Sequence, residues 1–234
     1  MCIICVKYQG TPPPNDDILT NMFNNNPNGA GLMYWKPGDK YIHALKGITK
    51  LSDWLATCDL IKKEYNAVYH CRITTQAPST EYTHPFPVTS DKNALKWKAW
   101  KGTEGVAHNG VIPLTSSYNW SANESDTALF IRNYWRKLFP DASAYTDETR
   151  LELLGEATNS RWAIMTPGRI YTAGDGWTKD KRTGLYFSNK TYEATKKTYT
   201  CYFNDLDDEG DYWTKYQKAE NDYWTKYAQN YGKK

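Results

Sequence analysis

The sequence predicts a mixed α+β protein, and three observations support that fold class. The 234 residues are enough for one large domain with a substantial core. Short β-branched and apolar segments recur along the chain, and other segments between them carry apolar residues at helical spacing. The two kinds of segment do not alternate regularly, as they would in a doubly wound parallel sheet.

The first third of the chain predicts strands and two helices. "CIICVKY" is β-branched and apolar enough for a buried first strand, and "DDILTNMF" follows as a short helix with Asn15 as its cap. "GLMYW" and "KYIHAL" flank the turn "KPGD" and therefore predict a hairpin. "LSDWLATCDLIKKEY" predicts a helix, and "AVYHCRI" returns to strand. The helix is predicted from five residues at helical spacing: Leu51, Trp54, Leu55, Cys58 and Ile61.

The middle of the chain predicts loops, then strands and two more helices. Residues 76–101 are polar and irregular, which favours loops with one strand. "GVAHNGVI" predicts a strand that runs into a glycine turn. "SDTALFIRNYWRKLF" predicts a helix with Ser125 at its N-cap, and "DETRLELLGEA" predicts another. "RWAIMTPGRIYTAGD" and "GLYFSN" supply the later strands.

The last 30 residues contain an acidic segment and a repeat. "DYWTKY" occurs at 211–216 and again at 222–227, which is eleven residues later. Eleven residues make three helical turns, so both copies would present one stripe of tyrosines. We therefore predict two parts, a main domain over 1–204 and a linker with a Tyr/Trp-rich helical extension over 205–234. The extension would pack on its own domain or dock a partner.

Charge and cysteine usage exclude several classes of protein. The 29 basic residues exceed the 26 acidic ones too narrowly to indicate a nucleic-acid partner. No apolar run approaches the roughly 20 residues that span a bilayer, and the N-terminus does not resemble a signal peptide. We therefore expect a cytoplasmic protein without a membrane partner. An odd number of cysteines argues against a disulfide framework: Cys2, Cys5, Cys58, Cys71 and Cys201.

Four separated segments carry residues that could perform chemistry together. Cys2 directly follows Met1, so removal of the methionine would expose an α-amino group able to act as a base for its own thiol. Asn109 and Gly110 could donate N–H groups to an oxyanion. Arg72 suits a carboxylate, and Asp126 suits an ammonium group. The set matches an amino-acid substrate.

In this order and spacing, these pieces resemble the class II glutamine amidotransferase domain of the N-terminal-nucleophile (Ntn) hydrolase superfamily. The resemblance covers roughly residues 2–190 and includes "NPNGAGLMYW" and "GLYFSN". The family's R-x-x-T, HPF, HNG and SDT-type motifs match Arg72 with Thr75, His84-Pro85-Phe86, His108-Asn109-Gly110, and Asp126.

The resemblance implies a fold and a reaction. The fold would be a four-layer αββα sandwich of two antiparallel sheets. Cys2 would attack the side-chain amide of glutamine, release ammonia, and leave a glutamyl thioester for water to hydrolyse. Asn109 and Gly110 would form the oxyanion hole. No cofactor and no metal are implied.

The resemblance also implies a binding site for glutamine. Arg72 would bind the α-carboxylate and Asp126 the α-amino group, while Thr75 would shape the pocket. His84 is included in this substrate-binding set, although we expect His84 and His108 to support the loops. The roughly 40 residues beyond the part that the resemblance covers are too few for a synthase, so the ammonia would go to a separate synthase subunit, or the protein is a free-standing hydrolase.

Three alternatives stay open at this point. Cys2-x-x-Cys5 could belong to a metal or redox site with His70 and Cys71. The same fold could instead serve as a cysteine-type acylase on another linear amide. A third possibility is a binding or regulatory protein of this fold without catalysis.

Overall fold

The computed structural model describes residues 2–74, 79–112 and 124–194. Eleven strands are present in this part of the chain. In chain order they are β1 Ile3–Lys7, β2 Ala30–Trp35, β3 Ile42–Ile48, β4 Asn66–Cys71, β5 Phe86–Pro87, β6 Ala99–Gly102, β7 Gly105–Asn109, β8 Arg161–Thr166, β9 Arg169–Ala173, β10 Thr178–Lys179 and β11 Tyr186–Phe187.

Five α-helical segments accompany the strands in the same part of the chain. They are α1 Asp16–Asn25, α2 Leu51–Cys58, α3 Asp126–Phe130, α4 Arg136–Leu138 and α5 Glu148–Thr158. A π-helical segment, Ile131–Trp135, connects α3 to α4. Short 3-10 turns lie at Thr80–Tyr82, Ala94–Lys96 and Ala142–Thr146.

The strands form two antiparallel sheets. The larger has the order β10-β11-β1-β4-β2-β3-β6, and the smaller has the order β5-β7-β8-β9. β1 lies between β11 and β4, with Ile3 opposite Cys71 and Cys5 opposite Phe187. The α+β class predicted from the sequence is confirmed.

One apolar cluster joins side chains from both sheets. Because side chains alternate across a strand, Ile4, Val6 and Val68 share one face while their neighbours point the other way. The cluster combines Ile4, Val6, Met33, Ile42 and Val68 of the larger sheet with Ala107, Ala163 and Met165 of the smaller one. This part of the core therefore consists of strand residues alone.

Helices contact both sheets. Trp54 of α2 is fully buried, and its ring meets the ring of Tyr69 in β4 edge-on at 6.1 Å. The Trp54 indole also donates to the carbonyl of Leu19 in α1 at 3.2 Å. A second cluster packs helix residues such as Phe130 and Leu154 against the smaller sheet.

Most local predictions agree with the structure, and some need correction. Two strands, β5 and β6, begin within residues 76–101, where one was predicted, and a π-helical segment divides the helix predicted over 125–139. The Asn15 side chain caps α1, accepting the N–H of Ile18 at 3.0 Å. The second helix ends at Cys58, before Ile61, because the chain turns there to enter β4. Ser125 stands at the N-cap of α3, but its side chain makes no capping hydrogen bond.

Several predictions fall on residues outside the described ranges. They concern Thr75, Cys201, and the acidic and repeated segments that make up 205–234. Among the helices that the structure does describe, none is long and apolar enough to cross a membrane.

Candidate active site

Cys2 lies immediately before β1 and beside the segment that follows β4. Its thiol donates to the carbonyl of Ile73 at 3.4 Å. The side chain is half-buried, whereas Cys5, Cys58 and Cys71 are buried. Burial raises the pKa of all four thiols, and for Cys2 the nearby Arg72 guanidinium opposes this increase. Among the cysteines in the described ranges, Cys2 is therefore the accessible one, and it has a cation beside it.

Arg72 and Asp126 bring opposite charges to Cys2. Burial lowers the pKa of Arg72, and the charges of Cys2 and Asp126 act in the opposite direction. The Arg72 guanidinium donates to the Ser79 carbonyl at 3.2 Å and to the Thr74 hydroxyl at 3.3 Å. None of the ion pairs between described residues includes Arg72 or Asp126. Within the described residues, neither side chain is therefore neutralised by an ion pair.

Asp126 is held by backbone N–H groups. One carboxylate oxygen accepts the N–H of Thr127 at 2.7 Å, in the first turn of α3. The other accepts the N–H of Ile112 at 2.9 Å. Asp126 thus replaces Ser125 as the side chain that takes an N–H at this helix start, and it links the helix to the segment after Gly110.

Asn109 is the last residue of β7 and is almost fully buried. Its side-chain Nδ2 donates to Ser188 Oγ at 2.9 Å. The same Ser188 oxygen accepts the N–H of Ile4, also at 2.9 Å. Asn109 of the smaller sheet is thereby connected to β1 of the larger sheet, two residues after Cys2.

Gly110 packs directly against Ser160. A Cβ atom at position 110 would lie 2.0 Å from Ser160 Oγ and 2.7 Å from Ser160 Cβ. Ser160 Oγ is itself committed to the Thr158 carbonyl at 2.8 Å. The backbone next to Asn109 can therefore take this course only if residue 110 has no side chain.

We expect Gly110→Ala to destabilise the protein, because Ser160 or the β7 terminus must move. Overpacking of this kind costs about 1–3 kcal/mol in free energy of unfolding, or about 2–4 °C in melting temperature per kcal/mol at this chain length. Thermal unfolding checks the expectation. Gly102→Ala is the matched control, because its new Cβ would meet neighbours at ordinary distances of 3.6–3.9 Å. Equal melting temperatures for the two variants would contradict the steric argument.

Three buried histidines form a cluster beside Thr127, and two of them contact its hydroxyl. His84 Nε2 and His108 Nδ1 lie 3.2 Å and 3.0 Å from the Thr127 hydroxyl oxygen. His70 Nε2 lies 3.0 Å from the carbonyl of His108, and its ring centre is 4.3 Å from that of His84. Burial lowers the pKa of His70 to about 3 and of His108 to about 4, and it lowers the pKa of His84 well below its ordinary value.

These histidines are consequently neutral near pH 7. His84 is 5% exposed, and its ring also meets Phe86 edge-on. That placement favours the supporting role expected for His84 and His108 over direct contact with a substrate. Thr127 connects the two rings to the start of α3, so this network fixes the helix end that carries Asp126.

The structure places three of the seven residues predicted for the site within electrostatic reach of one another: Cys2, Arg72 and Asp126. Asn109, the last residue of β7, is linked through Ser188 to β1, and Gly110 packs on Ser160. His84 lies behind them, and Thr75 lies outside the described residues.

Four further residues were not assigned a role in the glutamine site from sequence: His70, Thr127, Ser188 and Asn189. Asn189 Nδ2 donates to the Cys2 carbonyl at 2.6 Å. Thr127 belongs to the quoted "SDT", and Ser188 with Asn189 ends "GLYFSN". The motifs thus contained a signal for three of them, but nothing in the local pattern indicated their partners.

A metal centre finds no support among the described residues. They contain no group of three or more His, Cys, Asp or Glu side chains arranged to hold a metal ion. Cys5 and Cys71, which the metal or redox hypothesis requires, are buried thiols with raised pKa values.

Comparison with known proteins gives a weak structural similarity. No protein-family model matches the chain, and no curated protein matches it. Among solved structures, the chain is similar to a glutamine phosphoribosylpyrophosphate amidotransferase from B. subtilis complexed with ADP and GMP. The TM-score is 0.43 with 15% sequence identity, over 82% of this chain and 42% of that one. The chain therefore spans less than half the length of that protein.

Proposed function

We propose that this protein is a class II glutamine amidotransferase-like enzyme in which Cys2 hydrolyses the side-chain amide of glutamine. The observation that carries the proposal is the surroundings of the Cys2 thiol. It is half-buried and next to Arg72 and Asp126, two opposite charges outside every ion pair among the described residues.

A free amino acid matches this pair of charges. The Arg72 guanidinium can bind the α-carboxylate through two parallel hydrogen bonds, and Asp126 can accept hydrogen bonds from the α-ammonium. An amide without these two charged ends would offer neither side chain an opposite charge, which is unfavourable in a half-buried site. Glutamine presents both charges and an amide at the end of its side chain.

The packing of the sheets supports the Ntn arrangement as part of the same proposal. Strand residues of both sheets share one core, α2 contacts the larger sheet and is hydrogen-bonded to α1, and helix residues from α3 onward pack against the smaller sheet. This order of contacts fits a four-layer αββα sandwich, with Cys2 at the start of an inner strand.

The reaction follows from the groups at the site. Removal of Met1 makes the α-amino group of Cys2 the base that takes the thiol proton. The sulfur attacks the amide carbon, and the resulting oxyanion receives hydrogen bonds from Asn109 Nδ2 and the Gly110 N–H. The C–N bond then breaks, the ammonium group returns its proton to the leaving nitrogen, and ammonia departs. Water hydrolyses the thioester to glutamate and regenerates the thiol.

The fate of the ammonia extends the proposal beyond this chain. A free-standing hydrolase would release it to solvent, whereas a glutaminase subunit would pass it to a separate synthase. In the second case, we expect the Tyr/Trp-rich segment 211–234 to contact the synthase.

Ammonia release from glutamine tests the central proposal. The full chain is purified, its intact mass is used to verify loss of Met1, and ammonia is measured with glutamine, asparagine and N-acetylated glutamine. We expect hydrolysis of glutamine and a large loss with N-acetylglutamine, since acetylation removes the charge that Asp126 would bind. Hydrolysis of N-acetylglutamine and glutamine at equal rates would instead identify an acylase, and no hydrolysis at all would favour a binding protein.

Arg72→Ala and Asp126→Ala should each raise KM for glutamine by about 10- to 100-fold, the equivalent of one lost charge-assisted hydrogen bond. The substrate groups they bind keep their charge throughout the reaction, so kcat should change much less. Steady-state kinetics checks both values. Arg169→Ala and Asp175→Ala, at exposed positions in and after β9, are the matched controls. An unchanged KM in folded Arg72→Ala and Asp126→Ala would refute the assignment.

A further inference from the structure

We propose that Ser188 is a positioning residue for the oxyanion donor Asn109, an inference that rests on the proposed function. Ser188 directly follows β11 and is fully buried. Its hydroxyl oxygen accepts two N–H groups at 2.9 Å, one from Ile4 in the larger sheet and one from Asn109 in the smaller sheet. Ser188 therefore connects the strand that follows the nucleophile to the side chain that would stabilise the oxyanion.

The Ser188 oxygen is itself held in place. The Ser188 N–H donates to the Ile4 carbonyl at 3.0 Å, so backbone and side chain both bind the same residue of β1. An acceptor fixed at two points gives the Asn109 amide a defined direction. Because β1 begins at Ile3, that direction is set relative to Cys2.

The Asn109 amide needs such an acceptor. The terminal torsion of an asparagine side chain has a broad energy profile, so the amide plane rotates easily unless a hydrogen bond holds it. Nδ2 carries two hydrogens. With one of them committed to Ser188, the other points in a fixed direction and can serve the oxyanion without reorganisation, which is the condition for strong electrostatic stabilisation.

Asn189, the residue after Ser188, contacts the nucleophile residue Cys2. Asn189 Nδ2 donates to the Cys2 carbonyl at 2.6 Å, and Asn189 Oδ1 accepts the N–H and hydroxyl of Thr191 at 3.0 Å and 2.9 Å. The dipeptide Ser188-Asn189 thus binds the nucleophile residue with one side chain and the oxyanion donor with the other.

A double-mutant cycle between Ser188 and Asn109 tests the inference. In the full chain, Ser188→Ala should lower kcat for glutamine about 10- to 100-fold, less than the ~10²–10³ expected for loss of the donor itself. KM should stay within about threefold. In the Asn109→Ala background, Ser188→Ala should lower kcat by less than about twofold, because the group it positions is already absent. Ser188→Thr keeps the hydroxyl and should recover most of the turnover.

The control separates positioning from general destabilisation. Thr57→Val removes another fully buried hydroxyl, which bonds the Asp53 carbonyl within α2 away from the site. It should lower the melting temperature by a similar amount and leave kcat unchanged. Equal kcat losses from Ser188→Ala in both backgrounds, or kcat within twofold of wild type in the single variant, would overturn the inference.

A readout independent of turnover keeps the two proposals distinct. If the processed wild type and Cys2→Ala release equally little ammonia, the proposed function fails. Hydrogen exchange of the Asn109 side-chain amide, followed by NMR, then decides whether Ser188 holds it. Faster exchange in Ser188→Ala than in Thr57→Val supports the positioning role, and equal exchange rejects it.

Discussion

Replacing Cys2 with alanine should abolish ammonia release from glutamine while leaving the fold intact. No other cysteine in the described ranges is accessible, since Cys5, Cys58 and Cys71 are buried. Without the sulfur no thioester can form, and the remaining donors can only polarise the amide for direct attack by water. Loss of a catalytic nucleophile lowers kcat by as much as about 10⁶-fold. The measurement is ammonia release by purified enzyme, with circular dichroism to verify folding.

The matched control is Cys58→Ala, which removes a buried thiol from α2. This variant should have a lower free energy of unfolding, because a cavity replaces a buried sulfur, but its kcat should not change. A covalent probe gives an independent test: a diazoketone analogue of glutamine should alkylate Cys2 alone, with loss of N₂ and formation of a thioether. Residual activity in Cys2→Ala, or full activity in a preparation that retains Met1, would contradict the assignment.

Much of the secondary structure could be predicted from local sequence. The β1 segment, the β2–β3 hairpin and helix α5 are each contained in one short stretch of the sequence, so composition and turn residues are enough to indicate them. Asn15 was predictable as a cap because capping depends on residues three positions apart. Sheet order was not predictable in this way, because the neighbours of β1 come from residues 66–71 and 186–187.

The residues of the candidate site likewise fall into those that local sequence could identify and those that it could not. Cys2, Arg72, Asn109 and Asp126 could be chosen from sequence because their chemistry forms a complete set and their motifs resemble a known family. Ser188 could not, because its two partners are 184 and 79 residues away along the chain. A serine at the end of a short strand carries no local sign of such contacts. The positioning residues of this site become visible only once the two sheets are placed together.

Asn109→Asp should lower kcat by at least ~10²–10³-fold, or about 2.7–4 kcal/mol, if Asn109 donates to the oxyanion. Aspartate has no N–H, and its carboxylate would place negative charge where negative charge develops. KM should change less than about tenfold, because the neutral ground-state amide gains less from this donor than the tetrahedral intermediate does.

The alternative interpretation of "HNG" is a turn, in which Asn109 serves only the backbone. The structure disfavours it, since Asn159, and not Asn109, is the non-glycine residue with positive φ among those described. Aspartate tolerates a turn position as asparagine does, so a turn former would keep its turnover.

Burial complicates the test, because Asn109 is 1% exposed and a carboxylate there costs stability. Asn66→Asp supplies the matched control: Asn66 is 4% exposed, accepts the Gln9 N–H at 2.8 Å and donates to the Gly168 carbonyl at 3.1 Å, outside the candidate site. Both variants should have a lower melting temperature than wild type, but only Asn109→Asp should have a lower kcat. If the two folded variants hydrolyse glutamine within a few-fold of each other and of wild type, Asn109 makes no hydrogen bond to the oxyanion.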